Sequence, residues 1–323
     1  MTDQTGVGDR WSPARGLYRF TILVGCLTLV LLMAGALVTS NEAGDSVPDW
    51  PLSFGRWLID RNYFVANVRY EYSHRVIAGL VGFSTFAIAI WSWKTERRKW
   101  VTRLAFIAFA GVVIQALIGG IRVLFPTYKA AIAVPHALIA QSFFGVLVTL
   151  AVVMSMSWWN RTEVDVDTNR PSLRSLSTTT VGAILIQLVL GAGFRHQAFS
   201  IVPHILCAVV VASLVIWTAG VVYSRRGHDA FLRRPAATAM GLIVVQVILG
   251  VAAYVARLKS AGDPQPLEPM ISLTVAHVVV GALLLATMVV LMLRCYRALA
   301  RSREPVSEST GSSSIESTGR ATA

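Results

Sequence analysis

Charge is scarce in this sequence, and negative charge scarcer still. Only 14% of the 323 residues are charged, and 17 Asp and Glu face 29 Lys and Arg. Cysteine occurs three times and histidine six. Against these shortages stand a 54% hydrophobic composition and a mean hydropathy of +0.60. A soluble domain of this size cannot bury so much apolar surface, so the composition predicts membrane insertion. Cys26, Cys207 and Cys295 all fall in or beside apolar runs. No cysteine stands in an outer loop, so no disulfide is expected there, and the thiols read as small packing residues. The first apolar run has no small-residue cleavage site behind a short core, and it reads as a retained helix.

Eight runs are long enough to span a bilayer, near 17–40, 70–93, 101–122, 133–157, 176–194, 201–223, 236–256 and 270–295. The formal net charge of +12 invites a nucleic-acid reading, but the distribution argues against it. With the N-terminus cytoplasmic, inner segments carry 20 of the 29 Lys and Arg and outer segments the other 9. That is the positive-inside bias, so anionic lipid is the expected partner and both termini are expected in the cytoplasm.

The expected fold is an all-α membrane protein whose eight transmembrane helices form two pseudo-symmetric four-helix bundles. Residues 1–16 and 298–323 read as disordered tails. The N-terminal half covers 17–157, a linker 158–175, and the C-terminal half 176–297. Three odd-numbered helices repeat a Gln–xxx–Gly spacing: Gln115/Gly119, Gln187/Gly191 and Gln246/Gly250. The first helix has Gly35 in the comparable place but no glutamine. Spacing of four puts both residues on one helix face, where a glycine lets a backbone or a flat ligand approach closely. Plain helix packing is the simpler reading of that face.

Each of these helices is followed by a loop and then a histidine: His74, His136, His204 and His277. An imidazole at the edge of a hydrocarbon layer is costly unless something binds it. Four at equivalent places, on one side of the membrane, point to two pairs of axial ligands and so to two haems. Pairing within halves, His74 with His136 and His204 with His277, follows from the repeat; pairing across halves stays open. His136 and His204 each follow a proline, Pro135 and Pro203, which is expected in the first helical turn. His196 is expected to be exposed in a short outer loop, and His228 to be solvated in a basic inner one.

The halves differ at one acid. Glu71 and His74 lie three residues apart on one helix face, beside Arg75. A carboxylate at the membrane edge next to a metal ligand is a catalytic candidate, and an ion pair with Arg75 or Arg69 is the plainer alternative. No acid precedes His204 in the matching stretch. Arg75, Arg122, Arg195 and Arg257 near outer helix ends are candidates to hold haem propionates or to snorkel to headgroups.

Eight spans in two halves, Glu71-x-x-His74-Arg75, three later histidines in register and the Pro48-Asp49-Trp50-Pro51 loop resemble the haem A synthase family over roughly residues 17–300. The resemblance implies an oxidoreductase that converts the C8 methyl of haem O to a formyl group by successive hydroxylations. It implies substrate haem O on His74 and His136, a haem b cofactor on His204 and His277, and Glu71 beside the reacting methyl. Implied partners are haem O synthase and cytochrome oxidase assembly factors, at the cell membrane with the haem sites facing outward. Many relatives carry a cysteine pair in the first outer loop. Here that loop reads Asn41-Glu42-Ala43-Gly44-Asp45-Ser46-Val47, so no mechanism needing a loop thiol operates. Two alternatives use the same histidines: a di-haem b-type electron-transfer protein resembling quinol oxidoreductases, and a haem-binding chaperone. Small-residue helix faces also permit homo-oligomers.

Overall fold

A computed structural model describes residues 14–161, 164–167, 170–259 and 267–301. Eight of its helices are long and apolar enough to cross a membrane. They are α1 (Arg15–Ser40), α2 (Val68–Thr95), α3 (Lys99–Leu124) and α4 (Lys129–Met154), followed, after a four-residue α5 (Met156–Trp159), by α6 (Leu173–Arg195), α7 (Ile201–Arg226), α8 (Ala230–Lys259) and α9 (Glu268–Ala298). At 1.5 Å per residue, 26 residues reach about 39 Å, more than the roughly 30 Å hydrocarbon layer. Large apolar side chains line the outside, among them Phe83 at 79% exposure and Leu206 at 64%. These are surfaces for lipid, and the chain is a multi-pass membrane protein.

Neighbouring helices pack in sequence order, and each set of four closes on itself: α1 meets α4, and α6 meets α9. Contacts of α4 with α6 and of α1 and α4 with α9 join the sets. The hydrophobic core divides likewise. One cluster gathers Leu17, Val24, Ile88, Ala105, Leu147 and Met154. The other gathers Leu173, Val215, Leu232, Ala239, Leu285 and Met288. Polar side chains inside the helices are satisfied locally: Thr21 donates to the Leu17 carbonyl, and Thr180 and Thr218 meet at 3.0 Å across α6 and α7. Both clusters lie toward the starts of the odd-placed helices α1, α3, α6 and α8, away from the histidines.

Several boundaries depart from expectation. Lys129 already begins α4, so the loop expected at 123–132 shrinks to Phe125–Tyr128, and Pro135 falls inside the helix. Pro135 thereby withholds a bond from the Ala131 carbonyl instead of sitting among orphan donors. Pro203, by contrast, does fall in the first turn of α7. The run expected to reach 157 stops at Met154, because the Ser155 hydroxyl accepts from Trp158 N and starts α5. The linker is not featureless: Asp165–Asp167 pairs in parallel with Leu299–Arg301, residues assigned from sequence to a tail. Arg15 and Gly16, expected in the other tail, belong to α1. Pro264 and Pro266 of the last outer loop lie outside the described residues, as do most of both tails, whereas Pro269 opens α9.

Candidate functional site

The four histidines all sit in the early turns of α2, α4, α7 and α9, at one end of the helices. Each faces a glycine near the end of the preceding odd-placed helix. A methyl group on Gly35 would stand 3.1 Å from His74 Cε1, and one on Gly119 3.6 Å from His136 Cε1. On Gly191 and Gly250 the approaches to His204 and His277 tighten to 2.8 and 2.9 Å. The glycines are thus seats for imidazole rings. This sharpens the sequence reading, which admitted a close backbone or a flat ligand but did not name the ring.

The glutamines four residues earlier reach the same histidines. Gln115 Nε2 donates to the His136 carbonyl at 2.7 Å. Gln187 Nε2 donates to the His204 carbonyl at 3.0 Å and lies 3.3 Å from His204 Nε2. Gln246 Nε2 lies 3.3 Å from His277 Nε2, and His277 Nδ1 is 3.1 Å from the Gln246 carbonyl. The Nδ1 atoms of His74, His136 and His204 are buried without a partner, as are the side-chain carbonyls of Gln115, Gln187 and Gln246.

His204 and His277 lie with ring centroids 6.4 Å apart and planes at 70°. Metal–imidazole bonds run about 2.0 Å, so two rings gripping one metal from opposite sides keep their centroids roughly 6 Å apart. That spacing would let the two rings hold one metal between them. His74 and His136 are close enough to interact electrostatically. Among the described residues no three of His, Cys, Asp and Glu converge on one point.

Glu71 is buried, at 4% exposure, and both its oxygens are engaged. Val47 N donates to Oε2 at 2.9 Å and Arg75 Nη2 to Oε1 at 2.7 Å. Arg75 also donates to the carbonyls of Asp49 (2.6 Å), Leu52 (3.0 Å) and Val47 (3.1 Å). The plainer reading of Glu71 as an ion-pair partner of Arg75 is present in the structure. Arg75 was also a candidate for propionates, but its terminal nitrogens are committed to the loop.

That loop is an ordered cover. Ala43 and Val47 are fully buried, and the Trp50 ring lies so close to Gly120 that an added methyl would stand 2.5 Å from it. Asp49 accepts from Phe54 N and Gly55 N, each at 2.7 Å. Burial pushes the Asp49 carboxyl up, but those two donors and Arg75 outweigh it and hold it below the ordinary carboxylate range.

Arg122 donates to the Gly44 carbonyl at 3.1 Å, and Arg195, from the other set of helices, to Ser40 Oγ at 2.8 Å. Arg257 stacks on Phe194. Half-buried His196 lies beside Arg122, Arg195 and His136. Burial first, then the two guanidiniums, push its imidazole down to about 4. The expectation that His196 is exposed is corrected: α6 runs to Arg195 and carries the ring inward. His228 is exposed, and all three cysteines are free.

The comparisons with known proteins cover the segment that carries the first pair. Residues 59–202 match the model of a family described as cytochrome oxidase assembly protein. That segment holds Glu71, His74, Arg75 and His136 and stops two residues short of His204. The chain is similar to proteins named heme A synthase from Alkalihalophilus pseudofirmus (33% identity over 40% of this chain and 43% of the relative) and Halalkalibacterium halodurans (32%, 44% and 46%). It is also similar to one from Staphylococcus haemolyticus (28%, 58% and 61%). The chain spans less than half the length of the first two of these relatives.

Proposed function

We propose that this chain, whose residues 59–202 match the model of a family described as cytochrome oxidase assembly protein, is a haem A synthase of the cell membrane. The observation that carries the reading is the Gly–His seat repeated four times at one end of the helices, with His204 and His277 spaced for one metal between them. Two pseudo-symmetric halves each hold one haem at the outward-facing end. His74 and His136 bind substrate haem O, and His204 and His277 bind haem b. When bound, haem b supplies one-electron chemistry.

The first half works on the C8 methyl of haem O: an external oxidant takes two electrons in each of two hydroxylations, and the resulting geminal diol loses water, with no further redox change, to leave the formyl group. The chain's own residues orient and shield that centre. The seats at Gly35 and Gly119 aim the two imidazoles. The loop from Asn41 to Gly55, pinned by Arg75 and by Trp50 on Gly120, excludes water from the histidine end. Glu71 places a fixed negative charge beside His74, oriented by Val47 N–H and Arg75, where positive charge develops on the oxidised carbon. Arg122 and Arg195, whose donors turn toward the junction of the two halves, offer positive charge for propionates.

Co-expression with a source of haem O, followed by pigment extraction, tests the reading. The wild type accumulates haem A. His74→Ala and His136→Ala abolish it and keep a b-type spectrum, while His204→Ala and His277→Ala lose that spectrum. Haem O that passes through unchanged in the wild type would leave a di-haem electron carrier or a haem chaperone in its place.

A further inference from the structure

Near the first histidine pair, α1 and α2 leave a cavity of about 300 Å³ between them. Val30, Met33 and Leu37 of α1 and Ile77 of α2 form its apolar walls. Phe64, from the loop before α2, adds another and is held edge-on against Tyr72. Val30 and Met33 are exposed, so the groove opens toward the bilayer. Its polar lining is confined to Arg69, Tyr70 and Ser73, in the first two turns of α2. We propose that this groove seats one anionic phospholipid of the leaflet at the histidine end. The phosphate rests on Arg69 and an acyl chain lies between α1 and α2. The site is independent of what the histidines hold.

The charge at the mouth carries the argument. Glu71 pairs with Arg75, which leaves exposed Arg69 to a neutral partner. Arg69 Nη2 donates to the Tyr70 hydroxyl at 3.0 Å, and its guanidinium carbon lies 4.8 Å from the Tyr70 ring centroid. That bond uses one of the five N–H donors that a guanidinium offers. Among the described residues, none that lines the groove is acidic. A phosphodiester supplies the missing sign and suits the planar fork of arginine. A choline headgroup would bring an ammonium for which the lining has no acid. α2 also begins at Val68 without a side-chain cap, and a helix start favours an anion.

The order of the lining matches the order of a lipid. Ile77 follows Arg69 by eight residues, about 12 Å along the helix. The charge therefore stands at one end and hydrocarbon walls follow it. A chain laid there restores the dispersion contacts that open walls lack. The neighbouring loop marks the depth. Trp57 and Leu58 leave 77% and 79% of their surface open, and Val65 is exposed beside them in the chain. Such side chains belong at the headgroup level rather than in water.

Purified protein equilibrated in detergent with dioleoyl phosphatidylglycerol or dioleoyl phosphatidylcholine, followed by native mass spectrometry, tests the proposal. Wild type should retain phosphatidylglycerol in preference to phosphatidylcholine. Arg69→Gln should weaken that retention about fivefold, the worth of one arginine near an anionic surface. Val30→Trp, which fills the groove from its open side, should lower retention of both lipids. Arg61→Gln removes an exposed charge outside the groove and should bind as wild type does. All three positions are exposed, so melting temperatures should match that of wild type. Equal retention of the two lipids by wild type overturns the proposal. So does Arg69→Gln that binds no more weakly than Arg61→Gln, or Val30→Trp that binds as wild type does.

Discussion

Around His204 and His277 the polar neighbours are neutral amides; around His74 and His136 one amide, that of Gln115, is joined by a carboxylate, guanidiniums and a folded loop. Both pairs rest on glycines of the preceding helix, so the scaffold is common and the surroundings are not. Amides orient an imidazole without adding net charge. A buried Glu71–Arg75 pair is expensive to desolvate and is kept where charge is put to use. Equivalent helices thus carry two histidine pairs whose surroundings differ at a few positions.

The sharpest way to break that comparison after the histidines themselves is to fill the seats. Gly191→Ala and Gly250→Ala place a methyl 2.8 and 2.9 Å from the imidazole, against 3.6 Å for Gly119→Ala. Haem b content should fall about tenfold or more in the first two, by loss of ligand alignment, while the third keeps nearly normal activity; absorbance of the purified variants measures both. The acid is expected to act on turnover and not on haem content. Glu71→Gln should lower haem A formation about 100-fold with the b-type spectrum intact. Arg75→Lys should lower it less, because an ammonium keeps the charge but not the fan of bonds to the Val47, Asp49 and Leu52 carbonyls. Equal losses in the two would assign Glu71 to loop anchoring alone.

The smallest effect concerns pH. The Asp49 carboxyl is held below its ordinary value, so its contribution to loop order is complete above about pH 4, the unfolded value. That contribution disappears as pH falls through the lower folded value. Proteolysis of the 41–55 loop should rise at acid pH in the wild type, and Asp49→Asn should already show the raised rate at pH 7.

Much of this was legible beforehand. Apolar runs located the eight spans because lipid demands length and hydropathy and little else. The Gln–xxx–Gly and histidine spacings were visible, yet their meaning was not, since a one-helix pattern cannot say which neighbour's ring arrives. The early start of α4 was hidden because Pro135 reads as a first-turn residue, while Lys129 and Ala130 carry no start signal. His196 was misjudged for a related reason. The short 196–200 connection reads as a solvent loop, but the turn folds back and Ala198 N donates to the Gly193 carbonyl at 2.8 Å. The ordered strand in the linker was beyond reach: Asp-Val-Asp has no strand propensity of its own, and it pairs only because a distant segment comes alongside.

That pairing sets an order of events. Asp165–Asp167 precedes the second set of four helices, and Leu299–Arg301 follows it. The strands meet only after α9 has threaded the bilayer, so the clasp shuts last and ties the opening of that helical ring to its closing. Until then the first strand waits unpaired at the start of α6, and a ribosome still working on α9 leaves the second set of helices unlatched.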